Sequence, residues 1–235
     1  MSRTLPAFLS DEYNRFHSLA INEWNVEIGY LASIDHLLKP IHKRYLSLAC
    51  AATIAGYRAQ RNEYAEGIVE VGNLCLVLTL KGLENPSCVL LRQSIELVLK
   101  HIFFSSHPTE YQWAQSRVDY KDLTFQALLE YVARTDEYRS LGDSHDICDK
   151  IGEWYGVLSR YVHVHSSGFM RYSTSGTGYR PTEAHIKKLE ERTKGVWPCL
   201  IVLLTIFHVE RFRKASLIEQ RLIKQGLPKQ YKSLF

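Results

Sequence analysis

Apolar residues recur along this chain at the three- and four-residue spacing of amphipathic helices, and no useful stretch alternates with the period of a β-strand. The pattern predicts an all-α fold, a helical bundle. The expected helices run over residues 10–38, 40–60, 62–83, 86–104, 121–134, 144–164 and 182–216. Proline is expected to end the helices at Lys39-Pro40 and at Ser105–Pro108, and to kink or break the last helix at Trp197-Pro198.

The 235 residues suit one large domain or a domain with a helical extension. We expect an N-terminal helical extension at 1–61, a helical bundle at 62–212 and a basic C-terminal helix and tail at 213–235. Residues 166–181 are rich in Ser, Gly, Thr and Tyr and are expected to form a flexible loop.

Composition narrows the class of protein. Hydrophobic residues make up 46% and charged residues 23%, which are values typical of a globular domain. The five cysteines are widely spaced, without a CxxC pair, and predict buried free thiols in a reducing compartment. Polar residues follow Met1–Pro6 too soon for a signal peptide, and the longest apolar stretch, 196–209, is too short to span a membrane. We therefore expect a cytoplasmic protein that does not enter membranes.

The net charge of +4 is unevenly distributed, since seven basic but only two acidic residues follow His208. This tail could bind RNA phosphates through Arg211, Arg213, Lys214, Arg221 and Lys224. A solvated C-terminal helix has the same composition, because Lys and Arg are favoured at helix C-termini.

One segment carries candidate chemistry, in a chain without a phosphate loop, a GxSxG elbow or an HExxH motif. Arg160, His163 and His165 lie at the expected end of a helix beside the expected loop. Arginine holds a phosphate with a planar pair of donors, and histidine transfers protons near neutral pH. The three side chains could equally interact with the dipole and free carbonyls of the helix end.

A second pair, Arg92 and Glu96, stands four residues apart inside a strongly apolar helix. One interpretation is an ion pair at the edge of the core. The other is that this pair faces the helix of Arg160 and helps to form a polar site.

The residues Leu-Arg-Gln-Ser-Ile-Glu at 91–96 and Leu-Ser-Arg-Tyr-Val-His at 158–163 resemble a bacterial branch of the HEPN superfamily, a group of helical proteins. The resemblance covers about residues 62–212. Catalytic members carry an arginine, then four to six residues, then a histidine near a helix end. Arg160 and His165 meet that spacing, while His163 fits the Leu-Ser-x-x-Val-His form, so both histidines remain candidates.

The resemblance implies a metal-independent endoribonuclease that works as a homodimer, with the helices of 86–104 and 144–165 at the interface. It implies catalytic roles for Arg160, His165 or His163, supported by Glu96 and Arg92. Attack of the ribose 2′-OH on the adjacent phosphate needs no cofactor. Such proteins often act as toxins or anti-phage effectors, with a regulatory or antitoxin protein as partner.

Two alternatives remain open from the sequence. A non-catalytic helical module of this family would bind protein partners or nucleotides. Tyr161 fits this interpretation, because catalytic members usually have a polar residue, often Asn, Asp or His, directly after the arginine. A scaffold protein with the motif residues by chance is the other alternative.

Overall fold

The structure is a computed structural model, and it describes residues 4–56, 63–116, 123–140, 146–162 and 182–234. Within these ranges the chain is all-α and forms a helical bundle without strands, which confirms the fold class. The helices in chain order are α1 (Leu5–Asn22), α2 (Ile28–Gly56), α3 (Glu63–Leu80), α4 (Glu84–Ser106), α5 (Pro108–Ser116), α6 (Phe125–Arg134), α7 (Asp136–Arg139), α8 (Ile147–Ser159), α9 (Glu183–Phe207), α10 (Val209–Arg213) and α11 (Leu217–Gly226), followed by a 3-10 helix (Lys229–Leu234).

The bundle is built on α2, α4 and α9, which run parallel, with α3 and α8 antiparallel to them. Contacts give the directions: Glu84 and His101 of α4 meet Arg192 and His208 respectively, so that α4 and α9 point the same way. The middle of α9 is buried on all sides, including the indole of Trp197. A continuous apolar run inside a bundle is the reason why this helix is long without spanning a membrane.

The first predicted helix is corrected, because α1 ends at Asn22 and α2 begins at Ile28. Asn25 between them has a φ of 53°, a left-handed conformation that asparagine tolerates better than most residues. The Val26 amide donates to the Ala20 carbonyl, which closes the end of α1.

The expected break at Pro40 is wrong, since α2 continues through it, and α9 likewise continues through Pro198 without a break. The expected kink at Pro198 stays a prediction. Proline removes one backbone hydrogen bond, to the carbonyl four residues earlier. Those carbonyls belong to His36 and Lys194, whose side chains are exposed. The cost of about 3 kcal/mol for each proline is offset by packing along the rest of each helix.

Two other boundaries have local causes. Gly82, with a φ of 76°, follows α3, where its amide and that of Leu83 bond to the carbonyls of Thr79 and Leu78. The expected stop at 105–108 is present, but Pro108 also begins α5, which the sequence analysis did not predict. Proline is favoured at the first helical position because its missing N–H has no partner there.

Helices on both sides of the expected boundaries at 61/62 and 212/213 contribute to one hydrophobic core. Helix α2 packs against α3 and α9, and α11 packs against α2. The division of the chain into an extension, a bundle and a tail stays a prediction.

All five cysteines are free, as predicted, and all but Cys50 are buried. Among the described helices, none combines the length and the apolar character needed to cross a membrane.

Candidate functional site at the end of helix α8

Arg160 lies at the C-terminal cap of α8, in helical conformation, with an exposed side chain. Within the described ranges its guanidinium makes no hydrogen bond and no ion pair. His163 and His165, which the sequence analysis paired with it, lie outside the described residues. Arg160 is therefore a charged group available to a ligand at the last described turn before them.

Arg92 and Glu96 form the expected ion pair on α4, with 2.8 Å between Arg92 Nη2 and Glu96 Oε1. They also face α8, because the Tyr155 hydroxyl accepts a hydrogen bond from Arg92 and donates one of 2.7 Å to Glu96. The Arg92 guanidinium lies 4.6 Å from the centre of the Tyr155 ring, whose other face stacks on Phe125. The three polar groups form a closed set of contacts at a half-buried position.

These contacts do not bring the pair beside Arg160. Tyr155 precedes Arg160 by five residues, which on an α-helix means a rotation of about 140° around the axis. Arg92 and Glu96 thus contact one face of α8, and Arg160 extends from another.

A second cluster, which the sequence analysis missed, holds the last turn of α8. Arg192 of α9 donates to Glu84 Oε1 at 2.9 Å, to the Tyr161 hydroxyl at 2.5 Å and to Cys88 Sγ at 3.0 Å. Its side chain is only 11% exposed and that of Glu84 only 13%, so both charges are largely withdrawn from water. Tyr161 is the immediate neighbour of Arg160, and this buried cluster therefore fixes the turn that carries Arg160.

Two further residues of α9 complete the surroundings of Glu84. Lys188 Nζ lies 3.4 Å from Glu84 Oε1, and His185 Nε2 lies 3.8 Å from Oε2. The Thr182 amide donates to Nδ1 of His185, so in the neutral ring the proton is on Nε2 and points towards Glu84. The start of α9, the start of α4 and the end of α8 meet at this one place.

Charge pairing sets the protonation states in the cluster. Burial alone would raise the pKa of Glu84, but Arg192 and Lys188 outweigh it and hold the pKa below its ordinary value. Burial raises the pKa of Tyr161, and raises that of the Cys88 thiol to about 11. At neutral pH the cluster therefore contains a carboxylate, two cations, a phenol and a thiol.

A sequence signal for this cluster existed on α4. Glu84, Cys88, Arg92 and Glu96 follow one another at intervals of four, so they form one polar stripe on an otherwise apolar helix. Only the C-terminal half of the stripe is evident as a pair from the sequence, because its two opposite charges are four residues apart. Arg192, the partner of the other half, is 108 residues from Glu84, and no local pattern identifies it.

The outward face of α8 is a single exposed stripe. It consists of Asp149, Glu153, Gly156, Val157 and Arg160. Gly156 has open space around the position of a Cβ atom, and the apolar side chain of Val157 is 37% exposed. The acidic Glu153 and the basic Arg160 flank this small, apolar centre.

The basic residues of the tail are spread over the surfaces of α10 and α11. Arg211 donates to the carbonyl of Ala55 and Arg213 pairs with Glu210, whereas Lys214 and Arg221 are exposed. Arg211 and Lys214 also line a cavity of about 560 Å³ with Thr53 and Glu219. Lys224, the fifth predicted RNA contact, is half-buried on α11.

The tail lies towards the other end of α9 from Arg160. Helix α9 runs from Arg192, beside Tyr161, to His208, where α10 begins. Sixteen residues of α-helix correspond to about 24 Å. Among the described residues, the structure therefore does not bring Arg160 and the basic tail into one cavity.

Comparison with models of protein families, with curated proteins and with solved structures gives no match. In the described ranges, no group of three or more His, Cys, Asp or Glu side chains is arranged to hold a metal ion.

Proposed function

We propose that the protein is a metal-independent endoribonuclease of HEPN type, acting as a toxin or anti-phage effector. The observation that carries the proposal is Arg160, an exposed guanidinium without a protein partner at the end of α8. It precedes the two candidate histidines by three and five residues and adjoins a turn that Tyr161 holds against Arg192. An unpaired guanidinium on a fixed turn suits a phosphate ligand.

In the proposed reaction, His163 or His165 accepts the proton of a ribose 2′-OH while its oxygen bonds to the adjacent phosphorus. The bond between phosphorus and the 5′-oxygen breaks, the leaving oxygen takes a proton from water, and the products are a cyclic phosphate and a 5′-OH. Arg160 stabilises the negative charge that develops on the phosphoryl oxygens. The 2′-OH makes the reaction specific for RNA.

The outward face of α8 supports the dimeric form of the proposal. If two copies of α8 pack antiparallel about a two-fold axis near Gly156 and Val157, Glu153 of each copy lies opposite Arg160 of the other. Glycine there permits close approach of the helices, and the charges on each side are complementary. A guanidinium has five donors, so Arg160 can contact a carboxylate and still offer donors to a phosphate.

The basic tail would then serve as a second contact for a long RNA, about 24 Å along α9 from the reacting phosphate. Charge reversal at Arg213, Lys214 and Arg221 is expected to flatten the salt dependence of RNA binding. An unchanged salt dependence would favour the interpretation that the tail is a solvated helix.

The decisive experiment incubates the purified protein with total RNA and tRNA in the presence of EDTA. Arg160→Ala and the His163→Ala/His165→Ala double variant should lose cleavage by about 10²-fold or more, with an unchanged helical circular dichroism spectrum. Arg15→Ala, at an exposed arginine of α1, is the matched control. The single histidine variants decide which histidine acts. Full cleavage by Arg160→Ala would remove the nuclease assignment from this motif.

A charge-exchange series separates assembly from chemistry. Glu153→Arg should convert a dimer to a monomer in sedimentation, because it places like charges opposite each other. The double variant Glu153→Arg/Arg160→Glu should restore the dimer without restoring cleavage, since the pairing is exchanged but the phosphate contact is lost. A wild-type monomer at micromolar concentration would contradict the dimer.

A non-catalytic module that binds protein partners is the second candidate. Its support is the closed contact set of Arg92, Glu96 and Tyr155, in which the pair already has intramolecular partners. This candidate predicts no cleavage by the wild type under any of the conditions above.

A further inference from the structure

A cavity of about 440 Å³ lies between α1 and α2, among side chains that the candidate site does not use. Ser10 and Asn14 line it from α1, and Lys39 and Lys43 line it from α2. Each pair is four residues apart on its helix, so its two members lie on one face. The volume falls in the range of small-molecule sites, about 300–1,000 Å³.

Among the described residues of the lining, the only carboxylate is Asp35, which is already satisfied by the protein. It accepts a hydrogen bond of 2.8 Å from the Tyr13 hydroxyl and pairs with Lys39 Nζ at 2.6 Å, while His17 Nε2 lies 3.7 Å away. Burial alone would raise the pKa of Asp35, but Lys39 and Tyr13 outweigh this effect and hold the pKa below its ordinary value. The group therefore stays ionised. Asp35 thus acts as an internal counter-ion of Lys39 and is not free to attract a cation.

His42, a buried histidine that also lines the cavity, is neutral. Its ring packs against Tyr13 and Phe16, and burial lowers its pKa to about 4. The charge that faces the cavity without compensation is therefore the ammonium of Lys43.

Lys43 is half-buried and has no hydrogen bond or ion pair within the described part of the chain. Its neighbour at i−4 is Lys39, and like charges at this spacing destabilise a helix by a few tenths of a kcal/mol. The side chains of Ser10 and Asn14 have no partner in the same ranges. The Lys43 ammonium, a hydroxyl and an amide can thus all donate into one open cavity, beside the Lys39 ammonium that is paired with Asp35.

We propose that this cavity binds a small phosphate-bearing ligand, with Lys43 as its principal contact. A phosphate dianion offers three oxygens, and donors that come from two helices can reach them from different directions. The cavity is larger than the anion alone, and Leu9 adds an apolar surface to its lining, which favours a phosphomonoester with a short organic group.

The test is calorimetric titration of the full chain at low salt with inorganic phosphate, glycerol 3-phosphate and succinate. We expect both phosphates to bind, glycerol 3-phosphate more tightly, and succinate to bind at least tenfold more weakly. Lys43→Gln should weaken the binding of glycerol 3-phosphate about tenfold, as expected for the loss of one charge-assisted contact.

Two variants keep this test interpretable. Ser10→Ala/Asn14→Ala removes neutral donors at exposed positions of α1 and should also weaken binding without changing the thermal midpoint. Lys194→Gln removes an exposed lysine of α9 and should bind as the wild type does. The proposal is overturned by absence of phosphate binding, by succinate binding equally well, or by equal weakening in Lys43→Gln and Lys194→Gln.

Discussion

Helices α4 and α9 lie side by side, and polar groups join them at both ends in opposite ways. At the N-terminal end, Glu84 meets Arg192 and Lys188, and the carboxylate and the guanidinium remain charged. At the C-terminal end, His101 Nε2 lies 3.0 Å from His208 Nε2, and both rings are neutral because burial lowers their pKa values to about 4 and about 3.

The difference follows from the partners. A carboxylate and a guanidinium neutralise each other, so burial does not discharge them. Two histidines cannot do this, and the nearby Arg211 further disfavours a proton on either ring. Charge is therefore retained where α9 adjoins Arg160 and is lost where α9 adjoins the tail. The two ends should respond differently to truncation and to acid.

The largest effect is expected from Arg192→Ala, which should lower the free energy of unfolding by about 3–5 kcal/mol because it leaves Glu84 largely buried with a single, more distant cation. Urea denaturation at pH 7.5, followed by circular dichroism, measures it. Lys194→Ala, two residues away and exposed, should stay within about 0.5 kcal/mol of the wild type. Similar decreases in unfolding free energy in the two variants would show that the Glu84–Arg192 pair contributes little to stability.

Acid should weaken the neutral end. A histidine with a lowered pKa in the folded state binds its proton only after unfolding, so its stabilisation is complete above about pH 6.5 and is lost as pH falls towards 4. We expect the wild type to lose about 2 kcal/mol for each histidine, or about 4 kcal/mol for the pair, between pH 7.5 and 5.0. The variant His101→Leu/His208→Leu should lose less over the same interval. His36→Gln, at an exposed histidine, should follow the wild type, and equal slopes in all three would contradict the neutral pair.

Between the two ends, α9 contacts α8 by close packing. A Cβ atom on Gly195 would lie about 2.2 Å from the ring of Trp154. Gly195→Ala should therefore cost about 1.5 kcal/mol in unfolding free energy. Gly152→Ala in α8, where the new methyl group makes ordinary contact with Leu129, should instead stabilise by up to about 1 kcal/mol. If both substitutions changed the unfolding free energy in the same direction, the packing of α9 against Trp154 would adapt easily to an added methyl group.

The smallest effect is expected at the local ion pair of α4. Arg92 and Glu96 are 21% and 31% exposed, so water screens them and Arg92→Ala should cost about 1 kcal/mol. Arg134→Ala, which breaks the exposed i,i+4 pair with Glu130, should have almost no effect in the same denaturation assay. If Arg92→Ala lowered the unfolding free energy as much as Arg192→Ala, the distinction between local and long-range charge pairs would be wrong.

The sequence predicted the features that depend on interactions between residues close together in the chain. Helical periodicity gave the all-α class, and the spacing of Arg92 and Glu96 gave their ion pair. It failed where tertiary packing outweighed a local rule, as at Pro40, and where one residue, Asn25, adopted a rare backbone conformation. It also missed the Glu84–Arg192 contact, because two residues so far apart leave no pattern in one sequence.

The contact between Arg192 and Cys88 gives the molecule an internal chemical reporter. Cys88 is 1% exposed, and a thiol with a pKa of about 11 is almost wholly unreactive towards alkylating reagents at neutral pH. It can react only when the start of α4 separates from α9. In a Cys50→Ser background, which removes the one cysteine that is not buried, the alkylation rate of Cys88 measures how often the turn beside Arg160 opens.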